Sequence, residues 1–187
     1  MKPLGIPGAW TDEKKLFRDD RGSFHEWFRN DALHTATGRE MDVRQANCAV
    51  SRKGVLRGIH FTENPPGQAK YVTCLRGAVV GAVVDIRVGS PTFGQWRTAE
   101  LDDTNCAALY VSEGLGFGFM AVSDEATVIY LSSATYDPKR EHGLDPLDPE
   151  LGIQWPADIT PVVSDRDASA PGLARAGELG LLPVYSD

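Results

Sequence analysis

The 187-residue chain has only three cysteines and four histidines, and it lacks a long run of apolar residues. Cys48, Cys74 and Cys106 are widely spaced and form no C-x-x-C pair, which argues against a disulfide framework and a structural zinc site. All three lie in strand-like segments, so we expect buried free thiols. Without a membrane-spanning run or a segment resembling a signal peptide, we expect a cytoplasmic protein.

The chain also lacks a surplus of positive charge. It has 19 Lys and Arg residues against 26 Asp and Glu residues, which gives a formal net charge of -7. Because a sequence-independent nucleic-acid binder needs a basic surface, this balance argues against that class of protein. The negative average leaves room for a local basic pocket that binds an anion.

Sustained helical periodicity is missing, and short β-type runs separated by turn residues take its place. This pattern predicts an all-β sandwich or barrel of one domain, residues 1–187, followed near its end by a short helix at Leu173 to Leu181. The predicted strands are SFHEWF (23–28), VRQANCAV (43–50), VLRGIHF (55–61), AKYVTCLRG (69–77), AVVGAVVDI (78–86), WRTAEL (96–101), CAALYV (106–111), LGFGFMAV (115–122) and ATVIYLSS (126–133).

Gly54 to Arg87 contains the one histidine that we place on an interior strand, His60. Strict alternation along VLRGIHF would put Arg57 on one face and His60 on the other. A barrel that binds a metal would need a second histidine nearby, as in H-x-H. Position 62 is threonine and the next histidine is His142, so the pattern argues against a metal site.

His60 suits acid–base chemistry, because an imidazole with a pKa near 6.5 accepts a proton close to neutrality. Either Asp165 or Asp167 is a candidate carboxylate to orient its ring. Tyr130, in a buried strand, is a candidate acid on the opposite face. The alternatives are a hydrogen-bonded core histidine and a core tyrosine whose hydroxyl is bonded.

Several cationic side chains are candidates for binding phosphate, since the guanidinium fork and the ammonium point charge both suit oxyanions. Each of them is also compatible with an ordinary solvated surface charge. They are Arg21, Arg57, Lys70 and Arg166.

Five collinear stretches resemble the dTDP-4-dehydrorhamnose 3,5-epimerase family and together cover nearly the whole chain. They are DDRGSFHEWF; RQANCAVSRKGVLRGIHF; PPGQAKYVTCLRGAV with VVDIRVGSPTFGQW; VSEGLGFGFMAVSDEATVIYLSSATYDP; and LGIQWP with SDRDASAP. The resemblance implies a cupin-type jelly-roll barrel with short flanking helices. It also implies a dTDP-4-keto-6-deoxyhexose substrate, and neither a metal nor a nicotinamide cofactor.

The resemblance assigns roles to individual positions. His60 matches the family's base, Asp167 its carboxylate partner and Tyr130 its acid, and Lys70 is our candidate for the positive charge beside the C4 oxygen. Tyr136 resembles the aromatic residue that packs on the thymine. Further ligand-contacting positions are Arg21, Glu26, Gln45, Asn47, Arg57, Lys70, Glu141 and Arg166. Members of the family are homodimers that exchange N-terminal strands, so Arg21 and Glu26 are expected to serve the neighbouring subunit's site.

The chain departs from the family at Phe117. The family segment G-x-x-H-G-F has a histidine where Gly114 to Phe119 reads GLGFGF, so an apolar ring replaces a polar one. This change, with a likeness to antibiotic-sugar branches of the family, predicts an enzyme that inverts C3 alone. The alternatives are inversion at both C3 and C5, and a cupin that only binds the nucleotide sugar.

Overall fold

The computed structural model describes residues 1–186, which are mostly β-strands joined by short turns. The strands are β1 (Lys2–Pro3), β2 (Ala9–Asp12), β3 (Phe17–Asp19), β4 (Gly22–Phe24), β5 (Gln45–Arg52), β6 (Leu56–Thr62), β7 (Lys70–Arg76), β8 (Ala78–Asp85), β9 (Trp96–Asp102), β10 (Ala108–Val111), β11 (Leu115–Ala121), β12 (Glu125–Ser132) and β13 (Glu141–Gly143). The helices are α1 (Asn30–Thr37), α2 (Asp165–Ala168) and α3 (Leu173–Glu178). Within residues 1–186, every helix is too short or too polar to cross a membrane.

Two antiparallel sheets form the body of the molecule. A six-stranded sheet has the order β1-β2-β10-β7-β12-β5, and a five-stranded sheet has the order β13-β6-β11-β8-β9. From β5 to β12 each strand lies in the opposite sheet from the one before it, except that β8 and β9 are neighbours in the five-stranded sheet. This is the connectivity of a jelly roll. The all-β prediction and the jelly roll implied by the resemblance are confirmed. A separate two-stranded sheet pairs β3 with β4.

Apolar side chains fill the space between the sheets and cover both outer faces. The inner cluster includes Val72 and Val128 of the six-stranded sheet and Val83 of the five-stranded sheet. The outer face of the five-stranded sheet packs against the C-terminal segment, including Leu144. The outer face of the six-stranded sheet packs against Leu33 of α1. These layers hold the inner faces of both sheets, from which the site is built, at fixed positions.

Strict alternation along β6 was a wrong prediction, because the strand carries one extra residue. His60 pairs with Phe117 but Arg57 pairs with Phe119, so the register shifts between them. The shift turns Arg57 and His60 to the same, inner face of the sheet. A Cβ atom on Gly58 would lie 2.5 Å from the Cα of Gly118, and Gly58 has a φ of +117°. Glycine at both positions therefore permits this close approach of the β6 and β11 backbones.

Two other local predictions need correction. The three cysteines are free, but only Cys74 is buried, because Cys48 lies on the outer face of an edge strand and Cys106 lies in the turn before β10. The strand predicted over 23–28 ends at Phe24, so Glu26 and Phe28 do not share a strand face with it. Phe28 instead packs on the main body, while Phe24 stays exposed.

Candidate active site

A cavity of about 630 Å³ opens between the two sheets and is lined by both apolar and polar side chains. The six-stranded sheet contributes side chains from β5, β7 and β12, and the five-stranded sheet contributes side chains from β6, β11 and β13. The structure brings together most of the predicted site residues here: Gln45, Asn47, Arg57, His60, Lys70, Phe117, Tyr130, Tyr136, Glu141, Arg166 and Asp167.

His60 and Asp167 form a hydrogen-bonded pair on the β6 side of the cavity. Nε2 of His60 lies 2.7 Å from Oδ1 of Asp167, and the other carboxylate oxygen accepts a hydrogen bond from the Gly58 N–H at 3.4 Å. The residue pattern alone left Asp165 and Asp167 as alternatives, and the structure places Asp167, the one that the resemblance assigned, beside His60, while Asp165 is exposed. The pairing leaves Nδ1 as the ring nitrogen available to take a proton.

Helix α2 fixes the carboxylate of Asp167. Oγ of Ser164 caps the helix by accepting the backbone N–H of Asp167 at 3.1 Å. Burial alone would raise the pKa of the Asp167 carboxyl, but the hydrogen bond and charge of His60, with the Gly58 N–H and Ser164, hold that pKa below its usual value. Asp167 is therefore a carboxylate at neutral pH, and it can accept a hydrogen bond from the His60 ring.

Tyr130 faces His60 from the other sheet. It lies on β12, where it pairs with Asn47 and Val72, and it packs against the inner apolar cluster. Within residues 1–186 its hydroxyl has no hydrogen-bond partner. Burial, with the negative charge of Glu141, raises the pKa of Tyr130, while Arg57 opposes the rise. The phenol therefore stays protonated at neutral pH, as a proton donor must.

Lys70 lies at the floor of the cavity and is only 8% exposed. In the described part of the chain, no ion pair or hydrogen bond engages its ammonium group. Burial lowers the pKa of Lys70, and the charge of Glu141 opposes that change. Oγ1 of Thr62 donates to Oε2 of Glu141 at 2.8 Å and holds that carboxylate in place.

Exposed side chains form the mouth of the cavity. Arg57 donates to Oγ of Ser51 at 3.0 Å, and Arg166 reaches the backbone oxygen of Glu141 at 3.5 Å. Tyr136 is 52% exposed, and its backbone N–H donates to Oε1 of Gln45 at 2.8 Å. A cationic, aromatic mouth above a buried floor suits a ligand with a charged group and a flat ring at one end.

The cavity is more cationic than the protein as a whole. Its lining contains three cationic side chains, Arg57, Lys70 and Arg166, and two carboxylates, Glu141 and Asp167. The acidic chain therefore carries a locally cationic cavity. Among residues 1–186, no three His, Cys, Asp or Glu side chains lie together in a way that could hold a metal ion.

Phe117 lines the cavity beside His60. The two residues are directly opposed in the β6–β11 pair, and Phe117 is 6% exposed. Its ring packs against Phe119, with centroids 6.4 Å apart. An apolar wall therefore stands next to the proposed base.

Arg21 and Glu26 are the two predicted site residues that the structure does not place in the cavity. Both are exposed and lie in the segment that contains the β3–β4 hairpin. The side chain of Arg21 is 90% exposed and pairs with Asp19 at 2.5 Å.

Three supporting residues were missed by the sequence reasoning. Ser51 holds Arg57, Thr62 holds Glu141, and Ser164 caps the helix of Asp167. Thr62 follows His60 by two residues on β6, so the two-residue period of a strand predicts that both side chains lie on the same face. The S-x-x-D spacing of a capping box was a usable signal for Ser164. Ser51 is separated from Arg57 by a turn, so no local pattern indicates that contact.

The geometry predicts that Glu141→Gln shifts the alkaline limb of the pH–rate curve to lower pH. Glu141 raises the pKa of Lys70 and of Tyr130, so its loss lowers both. The predicted roles need a charged Lys70 and a protonated Tyr130, and both forms are lost as pH rises through the respective pKa. The measurement is kcat as a function of pH, normalised for each variant.

Glu63→Gln is the matched control for this prediction. Glu63 is half-exposed and pairs with His142 and Arg140 outside the cavity, so its loss changes the net charge equally. The assignment to Glu141 is wrong if both variants keep the alkaline limb of the wild type.

The family described as dTDP-4-dehydrorhamnose 3,5-epimerase matches residues 3–175. This chain belongs to that family. It is 54% identical over 185 residues to the dTDP-4-dehydro-6-deoxyglucose 3-epimerase of Streptomyces bikiniensis, covering 99% of this chain and 94% of that protein. It is 53% identical over 187 residues to a dTDP-4-dehydrorhamnose 3,5-epimerase of Streptomyces griseus, covering 100% of this chain and 93% of that protein.

A solved structure of the same family superimposes closely on this chain. It is that of ChmJ, a 3'-monoepimerase from Streptomyces bikiniensis, in complex with dTDP-quinovose. The TM-score is 0.96 at 54% sequence identity, and the match covers 99% of this chain and 93% of that chain. The epimerase family implied by the resemblance is thus confirmed.

Proposed function

We propose that this epimerase inverts C3 of dTDP-4-keto-6-deoxy-D-glucose through an enolate and supplies the 6-deoxy-allose series for antibiotic deoxysugars. One observation carries the reaction type: the His60–Asp167 pair on one sheet faces the Tyr130 phenol on the other across one cavity. Inversion needs a base and an acid on opposite faces of the sugar, and a site between two sheets supplies them. ChmJ, a close relative, binds dTDP-quinovose.

In the proposed mechanism, His60 removes the C3 proton from one face of the sugar. The electron pair moves onto the C4 carbonyl oxygen, and the ammonium group of Lys70 stabilises the enolate. Tyr130 then returns a proton to C3 from the opposite face. The step leaves an imidazolium at His60 and a phenolate at Tyr130, and proton exchange with water restores both.

The nucleotide supplies binding energy away from the reacting carbon. We place the diphosphate at Arg57 and Arg166 and the thymine on Tyr136, at the cavity mouth. Gln45 and Asn47 are further proposed contacts, and the hydrogen bond between their side chains, at 2.7 Å, orients both amides. Glu141 is a proposed contact as well as a charge near Lys70. Remote contacts of this kind hold the sugar in reacting geometry.

Selectivity for C3 rests on Phe117. Its ring stands beside His60, at the position where the family segment has a histidine. A polar ring there could donate to the sugar or accept from it, and an apolar ring cannot. Relatives at nearly equal identity carry both epimerase names, so this side chain, rather than overall similarity, favours the C3-only reaction.

The decisive experiment uses dTDP-4-keto-6-deoxyglucose in deuterated water, followed by NMR of the sugar protons. Deuterium and inversion at C3 alone are expected. In Phe117→His, exchange at C5 should appear as well if Phe117 sets the selectivity. Inversion at both carbons by the wild type would establish the 3,5-epimerase instead. Retained dTDP binding without exchange at either carbon would favour a binding-only cupin.

We propose further that the protein is a homodimer whose N-terminal strands are exchanged, so that Arg21 and Glu26 contact ligand in the partner's cavity. The β3–β4 hairpin supports this. Its six strand residues are all exposed, including the rings of Phe17 and Phe24, which pack on each other at 6.4 Å. An exposed aromatic pair at the open end of the β3–β4 hairpin suits burial against a second copy.

Strand exchange predicts that two inactive variants complement each other. A dimer of one His60→Asn subunit and one Arg21→Ala subunit would hold one intact site, because the intact Arg21 reaches the cavity that retains His60. Differently tagged subunits, co-expressed and purified through both tags, are expected to show about half the wild-type turnover per dimer. Activity no higher than that of the two parent homodimers would rule out the exchange.

We also propose that residues 1–187 form one domain. The inner cluster joins both sheets, and the C-terminal segment packs onto the five-stranded sheet through Leu144 and Leu182, which supports a single cooperative unit. A cytoplasmic location stays a prediction.

A further inference from the structure

The segment that carries the hairpin is joined to the body of the molecule at both of its ends. We call the end at which the chain enters the segment the entry root and the end at which it leaves the exit root. This arm, defined here as residues 15–26, contains β3 and β4, and its strands pair only with each other within residues 1–186. Lys14 precedes the arm, and Trp27 and Phe28 follow it. Both roots contact the same side chain, Tyr71 of β7.

At the entry root, Nζ of Lys14 donates to the hydroxyl of Tyr71 at 2.6 Å and to Oδ2 of Asp12 at 2.5 Å. The Tyr71 hydroxyl in turn donates to the same oxygen of Asp12. The Lys14 side chain is only 8% exposed and that of Asp12 17% exposed. Charged side chains are rarely buried to this degree unless they are paired. Here Lys14 and Asp12 pair with each other, and the Tyr71 hydroxyl bonds to both, which closes a triangle of hydrogen bonds.

At the exit root, two rings pack on the ring of Tyr71. The Phe28 centroid lies 5.0 Å away in an edge-on arrangement, and the Trp27 centroid lies 6.0 Å away. Tyr71 itself is 1% exposed. Its hydroxyl thus fixes the start of the arm while its ring fixes the end.

We infer that Tyr71 is a positioning residue that sets the direction of the arm, and so of Arg21, toward the nucleotide diphosphate in the second copy's cavity. The inference rests on the proposed strand exchange. Tyr71 packs in the outer cluster of the six-stranded sheet, whereas its neighbour Lys70 lines the cavity. Tyr71 therefore acts on the ligand only through the arm.

Tyr71→Phe keeps the ring and removes the hydroxyl, so Lys14 loses an acceptor and Asp12 loses a donor. In the dimer, amides of residues 15–26 are expected to exchange hydrogen faster, while amides of β12 exchange at the wild-type rate. KM for the dTDP-4-keto sugar is expected to rise about 3- to 10-fold with kcat unchanged, the size of one net hydrogen bond expressed as a ratio. A general loss of stability would not raise KM while leaving kcat unchanged.

Tyr110→Phe is the matched control. Tyr110 is another buried tyrosine of the same outer cluster, and its ring packs on Trp10 rather than on the roots of the arm. If Tyr71→Phe fails to fold, Lys14→Met tests the same triangle from the other side. Wild-type exchange in the arm for the folded variant, or a change equal to that of Tyr110→Phe, would overturn the inference. An inactive wild type would instead overturn the proposed function, and arm exchange would still decide the role of Tyr71.

Discussion

His60→Asn is expected to reduce turnover by about 10² to 10⁴-fold, the usual contribution of a positioned general base. Asparagine keeps a polar group that can meet Asp167, but it has no nitrogen that accepts a proton near neutrality. The proposed nucleotide contacts at Arg57, Tyr136 and Arg166 are untouched, so dTDP affinity should stay at its wild-type value. Steady-state kinetics and titration calorimetry with dTDP measure the two quantities separately.

The same variant should also lose deuterium incorporation at C3, because in the proposed mechanism His60 removes that proton. His142→Asn is the matched control. His142 pairs with Glu63 at 3.1 Å and does not line the cavity. Full C3 exchange in His60→Asn would remove His60 from the role of base, whatever the effect on kcat.

Tyr130→Phe is expected to separate proton exchange from inversion. His60 and Lys70 still form the enolate in this variant, so His60 can return a solvent deuteron to the face from which it took the proton. Inversion at C3 should fall by about 10² to 10⁴-fold, while deuterium enters C3 with the original configuration retained. NMR in deuterated water distinguishes the two outcomes from the sugar couplings and the loss of the C3 proton signal.

Tyr185→Phe provides the control for removal of a tyrosine hydroxyl. Tyr185 contacts Arg87 through its ring face at 4.9 Å, so the loss of its hydroxyl leaves that contact in place. Inversion by Tyr130→Phe at the wild-type rate would mean that another group delivers the proton. Simultaneous loss of exchange and inversion would place Tyr130 in the formation of the enolate instead.

The local sequence determined most strands of this fold. AVVGAVVDI reads as a strand buried on both faces and becomes β8, and WRTAEL reads as half-exposed and becomes β9. Such patterns follow from the two-residue period of a strand and from the burial of apolar side chains, and both act over a few neighbours. The long collinear resemblance to a known family likewise identified His60, Tyr130 and Asp167 as site residues, because these polar side chains stand at matching positions in the family's motifs.

Only the tertiary structure decided how these residues meet. Strict alternation predicted that Arg57 and His60 lie on opposite faces of the strand. The extra residue at Gly58 turns both side chains inward, and it fits because Gly58 lies close to Gly118 on β11, far away in the sequence. The contact between Asp167 and His60 depends on where α2 docks against β6. Arg21 lies outside the cavity of its own chain because of the point at which the arm, residues 15–26, leaves the two main sheets. Each outcome depends on contacts between segments far apart in the chain, which a local pattern does not encode.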